Sequence, residues 1–283
     1  MTRDALVLAG GGVAGIAWET GVLLGLEDSA PQLARHLNAA STRYIGTSAG
    51  STVAAQISSG TPLQKLFDAQ IAGAVPEITV SLDLRTFGAM MADATAGADA
   101  PQEVRRRIGT IARTAQTPSP EARRKVIESR LPSHLWPERD LLITAINTDT
   151  GELRLFDRAS GVNLVDAVAA SCAVPGIWPP VEIEGSFYMD GGMRSSANAD
   201  LAAGAQHVLI LVPGPEVSPL GPAIPAVELE ALGDARVHIV YADDESLLAI
   251  GMNPLDPATR GPAAEAGRRL GRKIAETVAS YWD

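Results

Sequence analysis

A chain of 283 residues exceeds the usual size of one domain, yet it is within reach of a single α/β enzyme and can bury a sizeable core. With 46% hydrophobic but only 4% aromatic residues, that core must be built mainly from Ala, Val, Leu and Ile, and wholesale disorder is excluded. Lys and Arg total 23 against 33 Asp and Glu, a formal charge of −10, which disfavours nucleic acid and anionic membrane surfaces as electrostatic partners.

The first apolar run, Ala5 to Ala9, is closed at once by glycines. It reads as a buried parallel strand rather than a secretory signal, and no stretch of about 18 uninterrupted apolar residues follows. A cytoplasmic location is therefore expected. Ile16 to Glu27 carries apolar residues at helical spacing, Tyr44-Ile45 leads as a strand into Gly46, and Ser51 to Ser58 reads as a helix ending near Gly60. Pro62 opens another.

Between Leu84 and Pro120 the chain is rich in Ala and Gly, which predicts helices and loops; the apolar, Ala-rich stretch Leu84 to Ala100 is a candidate mobile cover. Arg105-Arg106-Arg107 and Arg123-Arg124-Lys125 are interspersed with acidic and apolar residues and read as solvated helix faces. Leu141 to Asn147 and Glu152 to Asp157 read as strands around the turn Asp149-Thr150-Gly151, and Leu164 to Ala170 as a helix. Cys172 follows, the only cysteine. It allows no internal disulfide, and its apolar setting reads as a small buried residue rather than a nucleophile. Val181 to Ile183 and Phe187 to Met189 form a predicted hairpin that delivers Asp190 at its end. His207 to Val212 and Val237 to Tyr241 are further buried strands, separated by the connection Pro213 to Pro225, and a last helix is expected over Ala263 to Tyr281. Strands interleaved with helices imply a mostly parallel sheet covered on both faces.

The chemistry begins with Gly46-Thr47-Ser48-Ala49-Gly50, a G-x-S-x-G pentapeptide at a strand-to-helix corner. There the glycines allow strand and helix to approach closely, and the serine hydroxyl projects from the helix N-terminus as a nucleophile. The loop Gly10-Gly11-Gly12-Val13-Ala14-Gly15 admits two readings. Its glycines match the dinucleotide-binding fingerprint, but that site needs a carboxylate ending a second strand about 20 residues on, and Pro31 to Asn38 offers neither. Alternatively, its backbone N–H groups face a tetrahedral oxyanion, each donor worth on the order of 3 kcal/mol in the transition state. A serine needs a base, and none of His36, His134, His207 and His238 has a site-like setting. Asp190, at a strand end and followed by Gly191 and Gly192, is the better candidate.

Taken together and in order, Gly10 to Gly15, Gly46 to Gly50 and Asp190-Gly191-Gly192 resemble the patatin-like phospholipase family. The approach to the aspartate, from Ala169 through Pro175, Pro179-Pro180-Val181 and Gly185 to Tyr188-Met189-Asp190, is similar too, and the resemblance covers about residues 5 to 212. It implies a three-layer α/β/α sandwich over a single domain, with residues 213 to 283 outside the argument. It further implies a Ser-Asp dyad of Ser48 and Asp190, an oxyanion hole from Gly10, Gly11, Gly12, Val13 and Gly15, and an elbow framed by Gly46, Thr47, Ala49 and Gly50. The implied reaction is hydrolysis of lipid acyl esters without metal or organic cofactor. The family often carries Arg or Lys before the last glycine of its first loop, where this chain has Ala14. The rival functions are a dinucleotide-dependent oxidoreductase and a lipid-binding module without catalysis. Given the negative charge, any transient contact with a lipid surface is expected to be apolar, through Ile177 and Trp178 or through Leu84 to Met91, although Trp178 beside Pro179 reads first as a buried core residue.

Overall fold

The computed structural model describes residues 4–73, 76–80, 84–218 and 221–282. Pro219 and Leu220 of the proline-rich connection, and the Leu84 side chain, fall outside the described residues. In chain order the elements are β1 (Asp4–Leu8), α1 (Gly12–Ser29), α2 (Pro31–Leu37), β2 (Thr42–Gly46), α3 (Ala49–Ser58), α4 (Leu63–Ala72), α5 (Leu84–Thr95), α6 (Pro101–Thr114) and α7 (Pro120–Arg130). There follow β3 (Asp140–Asn147), β4 (Leu153–Phe156), α8 (Leu164–Ser171), β5 (Val181–Ile183), β6 (Ser186–Asp190), β7 (His207–Val212), β8 (Val217–Ser218), β9 (Gly221–Pro222), α9 (Ala226–Glu230), β10 (Arg236–Tyr241), α10 (Asp244–Ile250) and α11 (Arg260–Ala279).

The main sheet has the order β10-β7-β1-β2-β3-β6-β5, with β4 pairing β3 off that path. From β10 to β3 every neighbour is parallel; β4, β6 and β5 add antiparallel pairs at the other end. The central strand β1 is buried along its whole length and its side chains divide between two layers. Leu6 and Leu8 enter a large core with α1, α3, α8 and α11, whereas Ala5 and Val7 enter a smaller one with Val208, Ile210 and Leu232. The sheet is thus covered on both faces, the second by the short α9 and a helical turn at Ala199–Ala202. This is an α/β fold with a mostly parallel sheet. Among the described residues, no helix is long and apolar enough to cross a membrane.

One boundary differs from expectation in a way that matters for the site. Helix α1 begins at Gly12 rather than near Ile16, so the second half of the glycine segment is helical. Gly12 has φ +65, and a Cβ there would lie 2.8 Å from Pro254 O, so the turn into the helix excludes other residues. Farther along, α1 and α11 pack at backbone distance through Gly21, Gly25, Gly267 and Gly271; a Cβ on Gly267 would lie 2.3 Å from Trp18 O. The four-residue spacing of each glycine pair puts both on one helix face.

Candidate active site

The C-terminal ends of parallel strands open onto a crevice where ligands bind in α/β sheets. Here β1 ends at Leu8 and β2 at Gly46, side by side in register. Strand β6 runs the other way against β3, pairing Asp190 with Ala145, two positions beyond the Ile143 that pairs with Gly46. Ser48, Asp190 and the glycine segment therefore meet at one edge, around a cavity of about 260 Å³.

Ser48 occupies φ 53, ψ −115, a conformation that L-residues avoid and that must be held by its surroundings. Its N–H donates to Ser171 Oγ at 2.9 Å, and its carbonyl accepts from Ser51 Oγ at 2.6 Å and Cys172 Sγ at 3.2 Å. Thr47 is pinned as firmly, its N–H donating to Leu8 O and its Oγ1 meeting Thr144 Oγ1 at 2.9 Å and Asn198 Nδ2 at 3.1 Å. The flanking glycines are sterically required. A Cβ would lie 2.5 Å from Ser51 Cα at Gly46 and 2.0 Å from Leu8 O at Gly50. Ala49 starts α3, whose N-terminal dipole end lies at the Ser48 hydroxyl.

Asp190 is 2% exposed. Its Oδ1 accepts the Gly192 N–H at 2.7 Å, while the buried Oδ2 completes no hydrogen bond of good geometry. Burial pushes its pKa up to about 6, against the opposing influence of the nearby Ser48 hydroxyl, the Gly192 N–H and the Arg123 charge. Both following glycines have a reason. A Cβ on Gly191 would strike Thr144 Oγ1, and one on Gly192 would come 2.9 Å from the carboxylate.

Of the glycine segment, Gly10 to Val13 line the cavity and Gly15 does not. The Gly10 N–H is taken by Ser196 O and that of Gly15 by Gly11 O, whereas no protein acceptor among the described residues takes those of Gly11, Gly12 and Val13. Of the residues of the segment that line the cavity, these three thus keep unengaged N–H groups, because the start of α1 leaves them without intrahelical partners. None of the four histidines lines the cavity; His207, for instance, pairs with Asp4 at the opposite end of β1.

One expectation needs correction. Arg123 is not on a solvated face. It is 6% exposed, lines the cavity and stacks its guanidinium 3.7 Å over the Trp178 ring, while its neighbour Arg124 pairs with Asp166 in the half-exposed manner expected. The same stacking buries Trp178 to 2% exposure, in line with its reading as a buried residue beside Pro179 and against a lipid-surface role. The cavity also takes Phe87 from α5, the region anticipated as a cover, and Pro254 and Leu255, which lie beyond the reach of the sequence motifs.

A family profile described as patatin-like phospholipase matches residues 6–203. Comparison with curated proteins gives no match. Among solved structures, VipD from Legionella pneumophila is similar at 14% identity and a TM-score of 0.47, over 98% of this chain and 67% of that one. The type III effector protein ExoU is similar at 16% identity and a TM-score of 0.41, over 98% of this chain and 53% of that one.

Proposed function

This chain belongs to the patatin-like phospholipase family, and from that premise, which makes it a lipid ester hydrolase, we propose that it cleaves fatty-acyl esters through a Ser48–Asp190 dyad. The observation that carries the reading is the pairing of a serine at a strained strand-to-helix corner with a buried carboxylate in one cavity that no histidine enters. The Asp190 pKa of about 6 suits a base working near neutrality better than an ordinary carboxylate would.

In the first half-reaction Ser48 Oγ attacks the acyl carbonyl carbon as Asp190 takes the hydroxyl proton. The negative charge on the former carbonyl oxygen is met by the unengaged N–H groups of Gly11, Gly12 and Val13 and by the dipoles of α1 and α3. Collapse of the tetrahedral species expels the alcohol, which leaves with the proton from Asp190. Water then repeats the sequence on the acyl-serine: Asp190 accepts its proton, a fatty acid departs, and the proton returns to Ser48.

A fluorophosphonate probe tests this reading. Wild-type protein should be labelled stoichiometrically and lose esterase activity, and folded Ser48→Ala should do neither chemistry. Labelling of the mutant at another residue refutes the assignment.

A further inference from the structure

The cavity that holds Ser48 is not alone at this end of the sheet. A second cavity, of about 500 Å³, lies beside it, and the two share Gly10, Phe87, Gly192, Met193 and Ser196 as lining residues. Two of these are glycines and one is a serine, so Phe87 and Met193 supply the bulk of the common wall. Phe87 stands on α5. Met91, one turn later on the same helix face, lines the second cavity but not the first. That face of α5 thus leads from the reacting groups into the second cavity.

What the second cavity offers a ligand is mainly hydrocarbon. Among the described residues its one charged side chain is Arg194, and that is already engaged: Nη1 donates to Asn198 Oδ1 at 2.8 Å and to Asp200 Oδ1 at 2.9 Å, and Nη2 to Asp200 Oδ2 at 2.6 Å. Ser195 Oγ donates to Glu228 Oε2 at 2.9 Å, and Ser218 Oγ to Gly221 O at 3.2 Å. Ser196 apart, the rest of the lining is glycine or apolar, with Val212, Pro215, Pro222, Ala223 and Pro225 facing the methionines and Phe87. Polar groups bound to one another give a polar ligand little to replace its water, whereas apolar walls favour a hydrocarbon through the area removed from water.

We propose that the second cavity is the distal half of the acyl channel and that Phe87, with Met193 beside it, bars the way into it, so that this chain selects acyl groups by length. The inference deepens the reading of the first cavity as the ester site and rests on it. At about 260 Å³ the first cavity has room for roughly eight groups of about 30 Å³ each, which sets the acyl chain it takes with the bar in place. A longer chain meets the Phe87 ring. Met193 is unbranched and adapts to what it touches, so the ring sets the limit.

The test measures kcat/KM for straight-chain p-nitrophenyl esters with acyl groups of about four to about sixteen carbons, on wild type, Phe87→Ala, Phe87→Trp and the double variant Phe87→Ala, Ala223→Leu. Calorimetric binding of straight-chain 1-alkanols, which need no catalysis, runs in parallel. Wild type should gain about fourfold for each methylene buried, up to about eight carbons, and lose beyond that length. Phe87→Ala should carry the gain at least about four carbons further, raising the ratio of the twelve-carbon to the eight-carbon ester at least about tenfold, and Phe87→Trp should shorten it. Ala223→Leu narrows the second cavity and should cancel the extension. If Phe87→Ala does not fold, Phe87→Val takes its place, and adding Met193→Ala keeps that methionine from filling the opening. A length profile unchanged in every Phe87 variant, or an extension that survives Ala223→Leu, overturns the inference. So does a shift confined to the alcohol portion, read with acetates of the same chain lengths, which would make the second cavity the leaving-group side. If no variant cleaves any ester, yet the alkanol series shows the length limit in wild type and its release in Phe87→Ala, the hydrolase reading fails and the role of Phe87 stands.

Discussion

The backbone N–H of Ser48 donates to Ser171 Oγ at 2.9 Å, a bond that spans 123 residues of sequence and ties the nucleophile corner to the end of α8. Both groups are buried, so Ser171→Ala leaves an unpaired donor at a residue whose backbone is already strained. The expected cost is about 1–3 kcal/mol in unfolding free energy together with roughly a tenfold loss of kcat, because the hydroxyl is no longer held in line. Chemical denaturation and steady-state kinetics on a medium-chain p-nitrophenyl ester measure the two; an unchanged kcat would show that the corner needs no such support.

Asp190→Asn should separate activity from stability. Esterase activity should fall at least about a hundredfold, since the base is lost, while each of His36, His134, His207 and His238 can be changed to Gln with little effect. The same substitution should raise stability at neutral pH. A carboxyl with a folded-state pKa of about 6 instead of 3.8 disfavours its own ionisation, so wild type gives up about 3 kcal/mol as pH rises from below 3.8 to above 6. The amide avoids that loss. Melting temperatures of the two proteins should be offset by a constant amount below about pH 4, separate further as pH rises from about 4 to about 6, and hold that wider gap above about pH 6.

The acid limb of kcat/KM should follow the same group, falling as pH drops through about 6. The Arg123 charge opposes the upward shift, so Arg123→Gln should move the limb to higher pH. A limb that moves down, or one that tracks a histidine variant, would assign the base elsewhere.

Cys172 touches the corner without being part of the chemistry. Its Sγ donates to Ser48 O, and burial raises its pKa, which keeps the thiol protonated and unreactive. Iodoacetamide should leave the native protein active, and Cys172→Ala should still be labelled by a fluorophosphonate. Inactivation by iodoacetamide at the rate of an exposed thiol would contradict the burial.

The glycines fall into two classes that a thermal-melt series can separate. Gly50→Ala drives a Cβ to 2.0 Å from Leu8 O and Gly267→Ala to 2.3 Å from Trp18 O, so each should cost at least about 3 kcal/mol or prevent folding. Gly88, inside α5 with open space around it, should instead gain about 0.5–1 kcal/mol as alanine.

What the sequence disclosed and withheld follows the range of the forces involved. Ser48, Asp190 and the glycines around them sit where local backbone geometry dictates residue type, and local dictates leave local patterns. The strands β1 and β7 are buried on both faces and read as unbroken apolar runs. Arg123 and Arg130 were illegible because α7 is polar almost throughout; what draws two arginines inward is Glu77, in a segment 53 residues before Arg130, and nothing near α7 announces it. Pro254 and Leu255 reach the cavity through a tertiary contact of the same kind. The close approach of α1 and α11 did have a signal, the paired glycines four residues apart in each helix, which single-helix periodicity passes over.

Strand β1 lies between β2, which follows it within 40 residues, and β7, whose His207 faces Asp4 across a separation of 203 residues. Closing that second pairing confines a very long stretch of chain, and loop-closure entropy is lost before the contact contributes anything. The strand that ends at the glycine segment therefore has one edge satisfied early and the other waiting. Until β7 docks, its unpaired edge is open to any other strand, its own kind included. Refolding yield should consequently fall with protein concentration more steeply than native stability alone would suggest, and the slow step should be the arrival of β7 rather than any event at Ser48 or Asp190.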